Sequence, residues 1–220
     1  MKPLVLVLLS APFAWTQPIS FGVKGGVPLT DFFNVAQNGT LESPSAFVKY
    51  STTTNRYIVG PTAELRLPFG LGIEFDALYR HLNYQSSGNL VDVFQTGQTT
   101  GSNWEFPLLL KYRFPSKIVR PYVDGGVTFD TLTGLKQTLT NTFFPSGTTI
   151  TTSTGSPSEL QHSTTEGFAL GAGLDIHILL HISPEIRYTR WGSAQFSVPN
   201  LASLFHSNQN QAEFLLGITF

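Results

Sequence analysis

Apolar residues recur at every second position in eight separate stretches of this chain, the period of a strand with two unlike faces. Ile19, Phe21, Val23 and Val27 alternate with Ser20, Gly22, Lys24 and Gly26. Tyr57, Val59, Ala63, Leu65 and Leu67 alternate with Gly60, Thr62, Glu64 and Arg66. After a turn at Pro68, Phe69 and Gly70, the apolar set is Leu71, Ile73, Phe75, Ala77 and Tyr79, against Glu74, Asp76 and Arg80. The fourth stretch sets Trp104, Phe106, Leu108, Leu110, Tyr112 and Phe114 against Glu105, Lys111 and Arg113, with Pro107 and Leu109 interrupting the polar face. Val123, Val127 and Phe129 then oppose Tyr122, Asp124, Thr128 and Asp130, and Phe168, Leu170, Ala172, Leu174 and Ile176 oppose Gly171, Gly173, Asp175 and His177. Ile182, Ile186 and Tyr188 alternate with Ser183, Glu185, Arg187 and Thr189, and Phe214, Leu216, Ile218 and Phe220 with Glu213, Gly217 and Thr219. Pro61, Pro107 and Pro184 fall inside these stretches, where a missing N–H predicts a bulge or a shifted boundary.

Eight strands of roughly ten residues suit tilted strands crossing a bilayer. The connections alternate in length. Those at about 28 to 56, 85 to 102, 132 to 164 and 192 to 209 are long and polar, and the three between them are tight. The pattern predicts an all-β fold, an eight-stranded antiparallel up-and-down barrel with both ends of the chain on the short-turn side.

Two kinds of barrel share that strand count: membrane barrels turn the apolar face to lipid, and soluble ligand carriers turn it inward. One face collects Lys24, Glu64, Arg66, Glu74, Asp76, Arg80, Glu105, Lys111, Arg113, Asp124, Asp175, Glu185, Arg187 and Glu213. Aromatic residues near strand ends, Tyr57, Tyr79, Trp104, Phe114, Phe129, Tyr188 and Phe220, match the girdles of a membrane barrel and favour lipid outside. The mixed charges are then expected to fill the lumen as a paired network, because a buried unpaired charge is costly. A lipocalin-like soluble barrel is the alternative.

Charged residues are only 12% of the chain, against roughly 25% in an ordinary soluble domain. A formal net charge of -1 argues against a general electrostatic grip on nucleic acid. The lack of cysteine excludes disulfides, thiolate metal sites and a cysteine nucleophile. At the start, Lys2 precedes an apolar run from Leu4 to Leu9, with small residues at Ser10, Ala11 and Ala14. Residues 1 to about 17 are read as a signal peptide, since the run is too short to span a bilayer.

Together with that leader, the eight alternating strands and the final Phe214, Leu216, Ile218, Phe220 series, residues 18–220 resemble the bacterial outer-membrane β-barrel domain family, which includes the small OmpA-like and OmpX-like barrels. The resemblance implies short periplasmic turns, four long extracellular loops and export by the general secretory route into the outer membrane. It assigns Phe214, Leu216, Ile218 and Phe220 to a signal read by the barrel-assembly machinery. The partners it implies are outer-membrane lipid, that machinery during biogenesis and an extracellular partner for the loops. A structural or surface-interaction role without catalysis or cofactor is expected.

Candidate chemistry is sparse. His177 and His181 need not converge as metal ligands on a strand and turn. His81 and His162 read as solvated histidines at strand ends or in loops. His206, Ser207 and Asn208 are similar to the histidine and serine of outer-membrane lipid A deacylases, but their spacing differs, and neighbours on a strand point to opposite faces. A lipid-modifying enzyme is therefore the second functional reading, which needs a base within hydrogen-bond reach of the serine.

Overall fold

The computed structural model describes residues 19–35, 46–54, 56–90, 92–116, 118–177, 180–198 and 205–220. The leader read at residues 1–17 lies outside them. The described strands are β1 (Ile19–Pro28), β2 (Phe33–Val35), β3 (Ala46–Thr52), β4 (Ile58–Arg66), β5 (Leu71–Asp76), β6 (Leu78–Leu90), β7 (Val93–Arg113), β8 (Val119–Phe143), β9 (Thr149–Thr154), β10 (Thr164–His177), β11 (His181–Trp191), β12 (Phe205–Ser207) and β13 (Asn210–Thr219). Taking β5 and β6 as one interrupted strand, eight antiparallel strands run β1, β4, β5/β6, β7, β8, β10, β11, β13 and back to β1. The ring closes where Val23 faces Ile218 and where Phe21 and Phe220 exchange backbone hydrogen bonds of 3.3 and 3.1 Å. Closure leaves no open edge in the barrel wall, so its backbone groups are paired with neighbours.

The apolar sets face out. Phe21, Val23, Phe75, Leu110, Phe168, Leu170 and Ile186 are among the exposed hydrophobics, while Lys24, Glu74, Asp76, Arg80 and Arg187 are buried inside. Ile58, Leu78, Leu109, Tyr122, Ala169 and Leu215 are apolar side chains buried on the inner face.

The prolines do not bend the wall as expected. Thr62 faces Asp76 and Val59 faces Tyr79, so one register runs through Pro61. Pro107 faces Thr128 and Pro184 faces Leu216 without a shift. Strand pairing lapses at Ala77, directly opposite Pro61 in that register: the Ala77 N–H donates to the Pro61 carbonyl at 3.0 Å, and Pro61 has no N–H to give in return. The β7–β8 ladder does shift register between Thr100 and Ser102, where Gly134 and Leu135 of β8 lie opposite the single Gly101 and Gly134 takes the positive φ of 62° that a glycine admits.

Two of the long connections are not loops. The span 85 to 102 is a hairpin in which β6 and β7 stay paired from Gln85 opposite Gln98 to Asn89 opposite Phe94. The span 132 to 164 continues β8 to Phe143 and adds β9 alongside it, with Thr142 opposite Thr149. Both are rich in threonine, whose β-branch favours strand. Both of their faces are polar, so no hydrophobic period marks them.

The first and fourth connections fold over the same end of the barrel. There β2 pairs with β12, Phe33 opposite Ser207. Phe32, Phe33, Tyr50, Leu82, Tyr84, Leu132, Phe196 and Phe205 form a buried cluster. Phe196 and Phe205 are fully buried.

Candidate functional site

Every strand of the barrel sends a charged side chain inward, and the closed register stacks them along the axis. In the middle, Lys24 of β1 contacts Glu74 and lies 3.0 Å from Glu185 and 3.4 Å from Asp76. Arg187 of β11 spreads its guanidinium over the same three acids, at 2.7 Å from Glu185, 2.9 Å from Asp76 and 3.2 Å from Glu74. Lys111 of β7 also contacts Glu74 and sits 4.3 Å from the centre of the Tyr122 ring. Such a cation over a ring face adds attraction in a dry site.

Towards the short turns, Arg113 contacts Glu64 and donates from Nε to Asp175 at 2.8 Å. His181 Nδ1 lies 2.9 Å from Asp175, and Arg66 lies 3.2 Å from His181 Nε2. Arg66 is only half-buried at this mouth. His177 and His181 face each other across the β10–β11 turn, and their rings stack at 4.4 Å. No set of three or more histidine or acidic side chains among the described residues is placed to hold a metal ion.

Towards the long connections, Arg80 bridges Glu105, at 3.2 Å, and Glu213. Asp130 joins them, although it is absent from the charged set named above. It accepts from Asn103 and Gln195 at 3.0 Å each. Asp124 differs from the rest: it is buried, yet neither carboxylate oxygen has a hydrogen-bond partner. Gly171 faces it across the sheet, and a Cβ there would come within 2.4 Å of Asp124 Oδ1. A side chain at this position would displace the carboxylate from where it lies.

Above the network lies the aromatic cluster, which sequence patterning did not find. Its signal is the presence of Phe32, Phe33, Phe196 and Phe205 within connections that otherwise read as polar. Its polar centre is Glu159, buried where it accepts hydrogen bonds from Tyr50 at 3.0 Å, Tyr84 at 3.3 Å and Gln137 at 3.3 Å. Burial first, and the Glu159 charge second, push both tyrosine hydroxyls above their ordinary range. Phe32 lies over Arg80, 5.5 Å from guanidinium carbon to ring centre, and links the cluster to the charges beneath.

The remaining candidates are structural in their contacts. Ser207 Oγ accepts from the backbone amides of Gln195 and Phe196 at 2.8 and 3.2 Å, pinning β12 to the strand-like segment beside it. His206 lies on the other face, half-buried. Phe214, Leu216, Ile218 and Phe220 all point outward on the closing strand.

The model of the family described as outer membrane protein beta-barrel domain matches residues 3–217. Neisserial surface protein A is similar at 12% identity, with 92% of this chain and 96% of that chain covered and a TM-score of 0.41. The outer membrane protein OprG from Pseudomonas aeruginosa is similar at 13% identity over 92% and 94%, with a TM-score of 0.42. Ail, the attachment invasion locus protein of Yersinia pestis, has 12% identity over 92% and 96%, with a TM-score of 0.31. No curated protein matches the chain.

Proposed function

This chain belongs to the outer membrane protein beta-barrel domain family, and on that premise we propose that it is a non-enzymatic outer-membrane barrel whose lumen is closed and whose extracellular collar carries a structural or surface-interaction role. The observation behind the reading is the lumen itself. Lys24 and Arg187 share Glu74, Asp76 and Glu185 at the barrel centre, all buried. A small eight-stranded barrel has room for its own side chains and little more. Opening a path for ions would separate buried charge pairs, and breaking one such pair costs about 3–5 kcal/mol. The aromatic cluster closes the extracellular mouth a second time.

The chain is exported through the general secretory route by its leader and inserted by the barrel-assembly machinery, which reads Phe214, Leu216, Ile218 and Phe220. Catalysis has little support, because Ser207 spends its hydroxyl on two backbone amides. The extracellular partner of the collar is a protein or glycan that the β6–β7 and β8–β9 hairpins reach first.

Purified barrel reconstituted in a planar bilayer tests the reading. No stepwise conductance above the bare bilayer is expected. Steps appear when Lys24, Glu74, Glu185 and Arg187 are together replaced by alanine. Steady open steps from the unaltered protein refute the closed lumen.

A further inference from the structure

On the outer wall, at the extracellular limit of the apolar belt, a polar ledge sits directly on an aromatic girdle. Phe129 of β8 faces Glu166 of β10, Phe168 of β10 faces Arg190 of β11, and Arg190 faces Asn210 of β13. Phe129, Phe168 and Tyr188 are exposed on the outside, and so are Glu166, Arg190 and Asn210. The Arg190 guanidinium is held by a neutral group, donating to Asn210 Oδ1 at 2.6 Å, and Tyr188 donates to the same oxygen at 2.7 Å. Two adjoining hollows of about 370 and 550 Å³ share Phe129, Glu166 and Gly192, and the first reaches Phe168 and Arg190.

We propose that this ledge binds a phosphorylated glycolipid of the outer leaflet, with a phosphate on Arg190, sugar hydroxyls on Glu166 and an acyl chain along Phe129 and Phe168. The inference rests on the membrane orientation given above. Three features of the site select this chemistry. A guanidinium is shaped for planar, paired contacts with phosphate, and Arg190 presents its charge already oriented by Asn210 and not cancelled by it. A carboxylate beside it disfavours a bare anion but accepts hydrogen bonds from hydroxyls, so Glu166 turns the preference from an anionic lipid in general to a phosphorylated sugar. The exposed rings below lie at the depth of the uppermost acyl carbons, where aromatic side chains settle at bilayer interfaces.

Native mass spectrometry of the folded barrel in detergent micelles tests this, with diphosphoryl lipid A as probe and phosphatidylglycerol at equal concentration as the competing anionic lipid. The unaltered protein is expected to retain lipid A in preference to phosphatidylglycerol, and Arg190→Gln to reduce lipid A retention about tenfold, the loss of one charge-assisted contact. Glu166→Gln is expected to narrow the preference between the two lipids, and Arg120→Gln, at the opposite rim, to change nothing. Equal retention of both lipids by the unaltered protein, unchanged retention in Arg190→Gln, or an equal loss in Arg120→Gln overturns the proposal. Heat-dependent gel mobility of the same samples reports on the barrel separately: lost retention preference with an intact shift defeats the ledge and leaves the closed barrel standing.

Discussion

The hydroxyl of Tyr84 donates to the carboxylate of Glu159 at 3.3 Å across 75 residues of chain, and this contact ties the third extracellular connection to the wall of the barrel. Tyr50 and Gln137 donate to the same carboxylate. Glu159 is the acceptor around which the cap is ordered. Replacing it with alanine removes the acceptor of three buried donors, at a cost of about 1–3 kcal/mol for each one that finds no other partner. Glu159→Ala is expected to make residues 155–163 more susceptible to added protease on intact cells while the barrel keeps its heat-dependent mobility. Equal cleavage of the variant and the unaltered protein would show that the cap is held by its aromatic packing alone.

The same contact has a pH signature. The folded state holds both tyrosine hydroxyls protonated above their ordinary range, whereas in an unfolded chain they ionise near pH ~10. Their contribution is therefore full below about pH 10 and declines as pH rises beyond it. Ultraviolet titration of the tyrosinate band is expected to show Tyr50 and Tyr84 among the tyrosines still un-ionised above pH ~10. Glu159→Ala should return part of that delayed signal to lower pH.

Within the lumen, the acids are not equivalent. Glu185 meets Lys24 and Arg187, but Asp124 has no hydrogen-bond partner on either oxygen. Neutralising the first removes paired charge. Neutralising the second relieves an unpaired buried one. Asp124→Asn is expected to raise the urea midpoint of the barrel in lipid vesicles, and Glu185→Gln to lower it. A fall of equal size in both would mean that Asp124 is paired through groups such as ordered water.

Arg187, like Lys24, has three carboxylates in contact, Glu74, Asp76 and Glu185. Arg187→Ala leaves them facing each other and is expected to destabilise the fold by about 3–5 kcal/mol. The companion variant Arg187→Ala with Glu185→Gln should recover part of that loss, because it removes one of the stranded charges. Additive losses in a double-mutant cycle would show that Arg187 and Glu185 are not energetically coupled.

Much of this architecture is legible in the chain. Period-two alternation identifies the wall strands because one face meets lipid, so Phe21, Val23 and Phe168 must be apolar while Lys24 and Arg187 are turned inward. Alternation fails wherever that constraint ends. The threonines from Thr138 to Thr142 form strand above the apolar belt, with polar groups on both faces, and carry no period to read. The cap is invisible for another reason: Phe33, Tyr84, Phe196 and Phe205 meet through pairings between distant connections, and nothing local marks Phe205 as a neighbour of Tyr50, whose rings stack at 4.6 Å. Proline misleads in the other direction. Pro107 and Pro184 keep their registers because one absent N–H need not move the rest of a ladder held by its neighbours on both sides.

Deletion of Phe220 removes the last outward aromatic and its backbone exchange with Phe21. The amount of folded barrel in the outer membrane is expected to drop, with unfolded chain accumulating in the periplasm. Unchanged amounts would mean that assembly does not read this residue.

The central claim is that the charged face is inside and the apolar face lies on lipid, and β7 offers the most direct test because Leu109 faces inward between outward-facing Leu108 and Leu110. The chain has no cysteine, so a spin label can be placed at each of these three positions in turn, in protein reconstituted into bilayers. Collision rates with dissolved oxygen are expected to be high at 108 and 110 and low at 109. High oxygen accessibility at 109, with low values on either side, would reverse the inside and outside of the barrel and contradict the account.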